Sequence, residues 1–277
     1  MISQKNIERF QGISLCRGED FLYISPHSIL KPYISCYTIT IPIAMSNEYT
    51  ILPTASSTIV ISVSTNDIFS RLRGVNTKAC NVGVHANMMR LLLLIEFHSG
   101  CLYPFINVEQ SDLIDNSFEL NDLDKMLRQS IENEMIKSEC IEDLVEALDK
   151  IFITRLINFS SRSSRREITA IMNNIVMHKG NVSMRDLSME FYYSEKHIRR
   201  LFLQYVGTTP KIFSRIVRVN FALRLLQNNP TNLIDVATRA GFFDQPHFIH
   251  DFKTICGLSP QVYIQNMSLF YNDEFKM

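Results

Sequence analysis

With 277 residues, 46% of them apolar and 20% charged, and only nine Gly and nine Pro, the chain has the composition of folded globular protein and room for two domains, which excludes disordered and low-complexity classes. Its longest apolar run, Leu91 to Ile95, falls far short of the ~20 residues a membrane helix needs, and Met1 to Gly12 lacks the apolar core of an export signal, so a cytoplasmic protein is expected. The net charge of zero hides a split: residues 160–270 hold fourteen Lys and Arg against seven Asp and Glu, residues 1–159 thirteen against nineteen, which makes the C-terminal part the candidate partner of a polyanion.

In chain order, four short runs rich in Val, Ile and Thr predict strands at Tyr37 to Ile41, Thr58 to Val63, Cys80 to Val84 and Leu91 to Phe97, enough for a small barrel or sandwich. Beyond Pro104 the period becomes helical. Asn121 and Asp122 are candidate caps for a helix carrying Leu123, Leu127 and Ile131. A second stripe, Ile141, Leu144, Val145, Leu148, Phe152 and Phe159, reads as core first and as a dimer face second. The polar, basic stretch Asn158 to Arg166 has no apolar period and reads as a linker. The expected class is therefore α+β: a β-rich sensory or dimerisation domain with a helical end over 1–157, a linker over 158–166, and an all-α domain over 167–268.

The strongest signal is an internal repeat that lays Ser183 to Phe213 over Asn232 to Tyr263. Each copy opens on a cap with an acid three positions on, Ser183 with Asp186 and Asn232 with Asp235. A turn follows, filled by Glu190, Phe191 and Tyr192 in the first copy and containing Gly241 in the second, which is one residue longer there. New caps at Ser194 and Asp244 start second helices, and from there the copies keep a spacing of fifty: His197 with His247, Phe202 with Phe252, Gly207 with Gly257, Pro210 with Pro260. Helix, tight turn, helix and stop is the plan of a helix-turn-helix, here over about 183–205 and 232–256.

In the second helices, Ile198, Leu201, Phe202 and Tyr205, or Phe248, Phe252 and Ile255, recur at core spacing. The outer faces then carry Lys196, Arg199 and Arg200 in unit one and Gln245, His247 and His250 in unit two. Lys and Arg donate to guanine and Gln pairs with adenine, so these are the candidate base-reading side chains; a solvated basic face is the plainer alternative for one helix alone, and duplication argues against it. Between the units, Pro210 to Asn228 reads as one stiff helix that sets their separation, with Arg215 and Arg218 placed to meet phosphates or to remain ordinary surface charges. Ser194 and Lys253 complete the candidate phosphate contacts.

Ser194 to Pro210, Ala237 with Gly241-Phe242, His247-Phe248, Phe252-Lys253 and Gly257 with Ser259-Pro260 and Tyr263 together resemble the AraC/XylS family of regulators over about residues 165–268. The resemblance implies a seven-helix domain that binds double-stranded DNA, usually as an activator contacting RNA polymerase. By position it places base reading at Lys196, Arg199 and Arg200, and at Gln245, Pro246, His247, Ile249 and His250. His250 stands where Arg is usual and Ile249 offers only apolar contact, so unit one is expected to discriminate more. Leu52-Pro53, Gly83-Val84, Ile95 to Gly100 and Asp112 resemble, more faintly, the β-rich domain of one branch of that family.

A promoter-blocking repressor is the alternative of the same class, and a homodimer and a small-molecule or protein effector are open partners. A repair enzyme fused to a DNA-binding domain is the alternative of another class, but Cys16, Cys36, Cys80 and Cys101 have neither metal-ligand spacing nor an adjacent base, so no enzyme and no cofactor is expected. His27, His85 and His98 lack the His-x-His spacing of a barrel metal site, and no metal is expected there.

Overall fold

Alternation of apolar and polar residues sets the pairing in the N-terminal half. The computed structural model describes residues 2, 4–12, 14–42, 50–82, 85, 87–159, 163–228 and 232–265. After a short helix α1 (Gln4–Arg9) come β1 (Ser14–Arg17), β2 (Phe21–Ile24), β3 (Ile34–Thr40), β4 (Thr50–Ile51), β5 (Thr58–Val63), β6 (Ile68–Arg73), β7 (Cys80–Asn81), β8 (Leu91–Phe97) and β9 (Ser117–Glu119). Seven of them form one antiparallel sheet in the order β1-β2-β3-β8-β5-β6-β9, and β4 pairs with β7 apart from it. Register places Tyr37 opposite Ile95 and Ile39 opposite Leu93, while Ile59 and Ile61 meet the same two residues from the other side. All six are fully buried, so a period of two delivers one apolar face.

That face is covered by α2 (Leu120–Leu123), α3 (Lys125–Lys137) and α4 (Ile141–Asn158). Ile141, Leu144, Leu148 and Phe152 of α4 are buried in the same cluster as the sheet, Phe152 packing edge-on against Phe97 and Phe105. The stripe is core, and with its apolar side spent there dimerisation loses the motive that the stripe supplied. The cap of α3 is Asp124 rather than Asn121 or Asp122: its Oδ1 accepts from Leu127 N at 2.8 Å, while the earlier pair falls in the separate turn α2. Arg155 of α4 decides between the candidates by reaching the Asp124 carboxylate at 2.6 Å, a long-range contact that local sequence does not announce. Although burial works against ionisation, the Arg155 guanidinium and the Leu127 N–H together hold the Asp124 carboxyl below its ordinary range.

Seven further helices follow among the described residues: α5 (Ser163–Met177), α6 (Met184–Phe191), α7 (Glu195–Leu201, continued by a π turn over Phe202–Val206), α8 (Pro210–Asn228), α9 (Leu233–Arg239), α10 (Gln245–Cys256) and α11 (Pro260–Gln265). Ser163 to Arg166, read as linker, lie within the bounds of α5; residues 160–162 of that stretch, like Gly83 and Val84, lie outside the described residues. A second core runs from Ile168 to Tyr263 and takes in Ala55 and Val75 from the N-terminal half.

The N-terminal half touches both parts of this second core. Asn220 of α8 donates to the Pro53 carbonyl at 3.1 Å within the buried interior, and Ala79 N–H donates to the carbonyl of Ile255 in α10 at 2.8 Å. Tyr103 packs edge-on against Tyr205 at 5.1 Å, and Gly207 lies so close to the Gln110 carbonyl that a Cβ there would stand 2.5 Å from it. No described helix is long and apolar enough to cross a membrane.

Candidate nucleic-acid interface

Each unit is assembled by the same local devices. In unit one Ser183 Oγ accepts from Asp186 N at 3.1 Å and the Asp186 carboxylate accepts in return from Ser183 N, a reciprocal capping box that opens α6. In unit two Asn232 Oδ1 accepts from Ile234 N and Asp235 N, both at 3.1 Å, and Asp235 turns to Arg239 instead of closing the box. Hydrogen bonds from Ser183 hold the exposed Asp186 carboxyl below its ordinary range.

The turns reach the same end by different chemistry. Gly241 supplies a left-handed backbone at φ 79° at little cost, whereas Tyr192 adopts φ 56° with a side chain attached. The second helices then start on matched caps: Ser194 Oγ accepts from His197 N at 3.2 Å, Asp244 Oδ1 from His247 N at 2.7 Å. They stop on matched glycines, Gly207 at φ 83° and Gly257 at φ 76°.

Between those ends the apolar side of each helix is buried, Ile198, Leu201 and Phe202 in unit one and Phe248, Phe252 and Ile255 in unit two. Lys196, Arg199 and Arg200 are exposed along α7, and His250 with Pro246 along α10, with Gln245, His247 and Ile249 half-buried. The outer face of α7 lines a groove of about 1030 Å³, and Glu109 and Ser111 of the N-terminal half line it as well. Arg199 is held loosely by Glu195 at 3.3 Å, one turn back on the same helix, and Arg200 approaches His197 Nδ1 at 3.3 Å. Both pairings are on the surface and yield readily to a stronger acceptor.

The two histidines that repeat at a spacing of fifty are built in alike. His197 stacks on Tyr193 at 4.7 Å and its Nε2 faces Glu167 Oε2 at 3.8 Å; His247 packs edge-on to Phe242 at 5.4 Å and its Nε2 faces Asp251 Oδ2 at 3.6 Å. Asp251 is a residue the sequence reading missed. It is buried on the core side of α10, one turn after Phe248, and receives Arg215 of α8 through Nη2 at 2.8 Å and Nε at 3.2 Å. A polar residue at an apolar position of the period is the signal that was available.

Arg215 is therefore paired inside the protein in this structure, and Arg218 donates to the Gly180 carbonyl at 2.9 Å with its guanidinium 5.4 Å over the Phe242 ring. Burial lowers the Arg218 pKa from its usual value. Ser194 is engaged as the cap of α7, and Lys253 is exposed on the last turn of α10. Among the described residues no group of His, Cys, Asp and Glu is arranged to hold a metal; His98 Nε2 lies 3.1 Å from the Lys31 carbonyl, and His27 donates its backbone N–H to Asp149 at 3.0 Å.

A family model described as a helix-turn-helix domain matches residues 187–266, the stretch that holds most of unit one and all of unit two. The C-terminal region is an AraC-type helix-turn-helix domain. Relatives of that AraC-type region include the Escherichia coli HTH-type transcriptional regulator YidL, 37% identical over 84 residues that make up 30% of this chain and 28% of that protein. The transcriptional activator AarP of Providencia stuartii is 28% identical over 111 residues, 39% of this chain and 82% of AarP. The chain thus spans less than a third of the length of YidL and of the Bacillus subtilis regulator YisR. Among solved structures, ToxT from Vibrio cholerae aligns over 92% of this chain and 97% of its own at 12% identity and a TM-score of 0.37.

Proposed function

We propose that the chain is a sequence-specific DNA-binding transcription regulator that reads two successive major-groove segments with α7 and α10. The observation that carries this reading is the duplication of a capped helix with an outward polar face, once on each side of a single connector. At ~1.5 Å per residue the nineteen residues of α8 span about 28 Å, comparable with the ~34 Å of one duplex turn that separates two adjacent major-groove segments. Lys196, Arg199 and Arg200 in unit one and Gln245, His247 and His250 in unit two take the base-reading roles, with Ser194 and Lys253 on phosphates. Arg215 and Arg218 reach phosphates only at the cost of their internal bonds.

Activation, with RNA polymerase as the contacted partner, is the sign proposed; a family member named as an activator, AarP, supports it over promoter blocking. The sheet domain takes the sensing role, and its contacts with both α8 and α10 supply a route from sensing to reading. Immunoprecipitation of the protein with its bound genomic DNA, followed by a reporter assay on the recovered promoters, tests both statements. Recovery of random fragments would remove the specific-reader proposal, and lowered reporter output would reverse the sign.

Arg200→Ala is expected to weaken binding to a recovered site by ~1–3 kcal/mol and to relax sequence preference at one position, because a guanidinium facing guanine is lost while the exposed backbone fold is kept. Titration of the variant against recovered and unrelated duplexes reads this out, and an equal loss on both would place Arg200 on the phosphates instead.

A further inference from the structure

A second cavity, of about 650 Å³, lies between the two units rather than along either one. Its walls come from the start of α6, the first three turns of α8 and the side of α10 that carries His247, His250 and Asp251. Three cations line it, Lys211, Arg215 and Arg218, against a single carboxylate, Asp251, which Arg215 already neutralises. Arg218 lends two features: a half-buried guanidinium, and an Nε that is buried with no hydrogen-bond partner among the described residues. At the rim, Ser183 caps α6 by satisfying Asp186 N, which leaves the N–H groups of Met184 and Arg185 in the first turn without intrahelical acceptors. Excess positive charge and a helix start meet on one concave surface, where the Arg218 guanidinium contributes charge while its Nε stays buried and its Nη2 stays on the Gly180 carbonyl.

His247 and His250 line the same cavity and also belong to the outer face of α10. In the DNA-reading proposal a duplex strand lies against that face, beside residues that line the cavity. We propose that this notch is a phosphate-binding site that takes one backbone phosphodiester of the duplex read by α10, with Lys211 as its exposed cation. The site rests on the DNA-reading proposal and adds to it a contact shared between units: a phosphate held by the start of unit one and the connector fixes the register of unit two on the same strand. Lys211 does no structural work among the described residues, being exposed and outside the core, so it is the residue to change.

The test uses the full chain, a duplex recovered from the genome and an unrelated duplex, titrated between about 50 and about 200 mM salt. Losing one phosphate contact lowers the slope of log affinity against log salt by ~0.9, so the advantage of wild type over Lys211→Gln is expected to shrink about three-fold across that range. The loss is expected to be the same on both duplexes, and Lys137→Gln, an equally charged change on α3, is expected to leave the slope unaltered. Binding by wild type with an unchanged slope for Lys211→Gln overturns the notch while sparing the reading helices; absence of salt-dependent binding by wild type overturns the reading helices as well. Inorganic phosphate alone, followed by the ring NMR signals of His247 and His250, separates the two sources of the same chemistry. Saturable shifts at submillimolar phosphate assign the notch to a small free anion and overturn the duplex assignment; no saturation supports it.

Discussion

Asp251→Ala is expected to cost about 3 kcal/mol of unfolding free energy, the lower end of the ~3–5 kcal/mol for breaking a buried ion pair by removing one partner. The lower end applies because Arg215 is 30% exposed and can turn to water, whereas the carboxylate, 6% exposed, cannot. Two consequences beyond stability follow from the geometry. Arg215 no longer ties α8 to α10, and His247 loses the carboxylate 3.6 Å from its Nε2, so α10 loses two of the contacts that fix its rotation. Urea denaturation checks the first part and duplex titration the second. A variant as stable as wild type would mean that the pair contributes nothing net. Replacing Asp251 and Arg215 together by Leu is expected to recover most of the stability but not the affinity, since packing substitutes for the pair in the core while His247 stays unsupported.

Gly180→Ala is expected to be similarly costly, by ~2–5 kcal/mol, combining ~1–2 for a side chain in the left-handed region with ~1–3 for overpacking. Gly180 ends α5 at φ 77°, and a Cβ there would stand 2.1 Å from the Ser214 carbonyl of the connector, a backbone atom that no rotamer change can move. Gly257 provides the control. It has nearly the same φ, 76°, but a Cβ would meet only Ala79 Cβ at 3.8 Å, so Gly257→Ala is expected to cost the backbone part alone, ~1–2 kcal/mol. Thermal unfolding of the two variants side by side reads out the difference. Equal losses would show that the close approach of α5 to α8 carries no energy.

Much of the fold was legible because it is written in short-range periods. β5 and β8 run over the residues expected of them, Thr58–Val63 and Leu91–Phe97, since a strand in the middle of a sheet must be apolar on every second residue. β6, with Arg71 and Arg73 on its outward side, and the four-residue β1 and β2 were missed, because their pairing is decided by neighbours and not by their own composition. The first twelve residues show no apolar core in sequence, yet Ile2, Ile7 and Phe10 are buried under the sheet domain. Three apolar residues spaced five and three apart are too few to make a period.

The sequence by itself determined the duplication: two capped helix pairs with matched stops, joined by an unbroken connector from Pro210 to Asn228, and an outer face left polar on the second helix of each pair. Caps, turns and amphipathic stripes act within a few residues, so they survive reading one stretch at a time. Only the tertiary structure decided which charges remain available to a partner. Arg215 and Lys211 look alike in the chain, but one is committed to a carboxylate thirty-six positions away and the other stands open at the rim of the notch. The physical reason is that a charge is spent through space, on whatever acceptor the packing of distant segments brings within about 3 Å, and no local pattern encodes that distance.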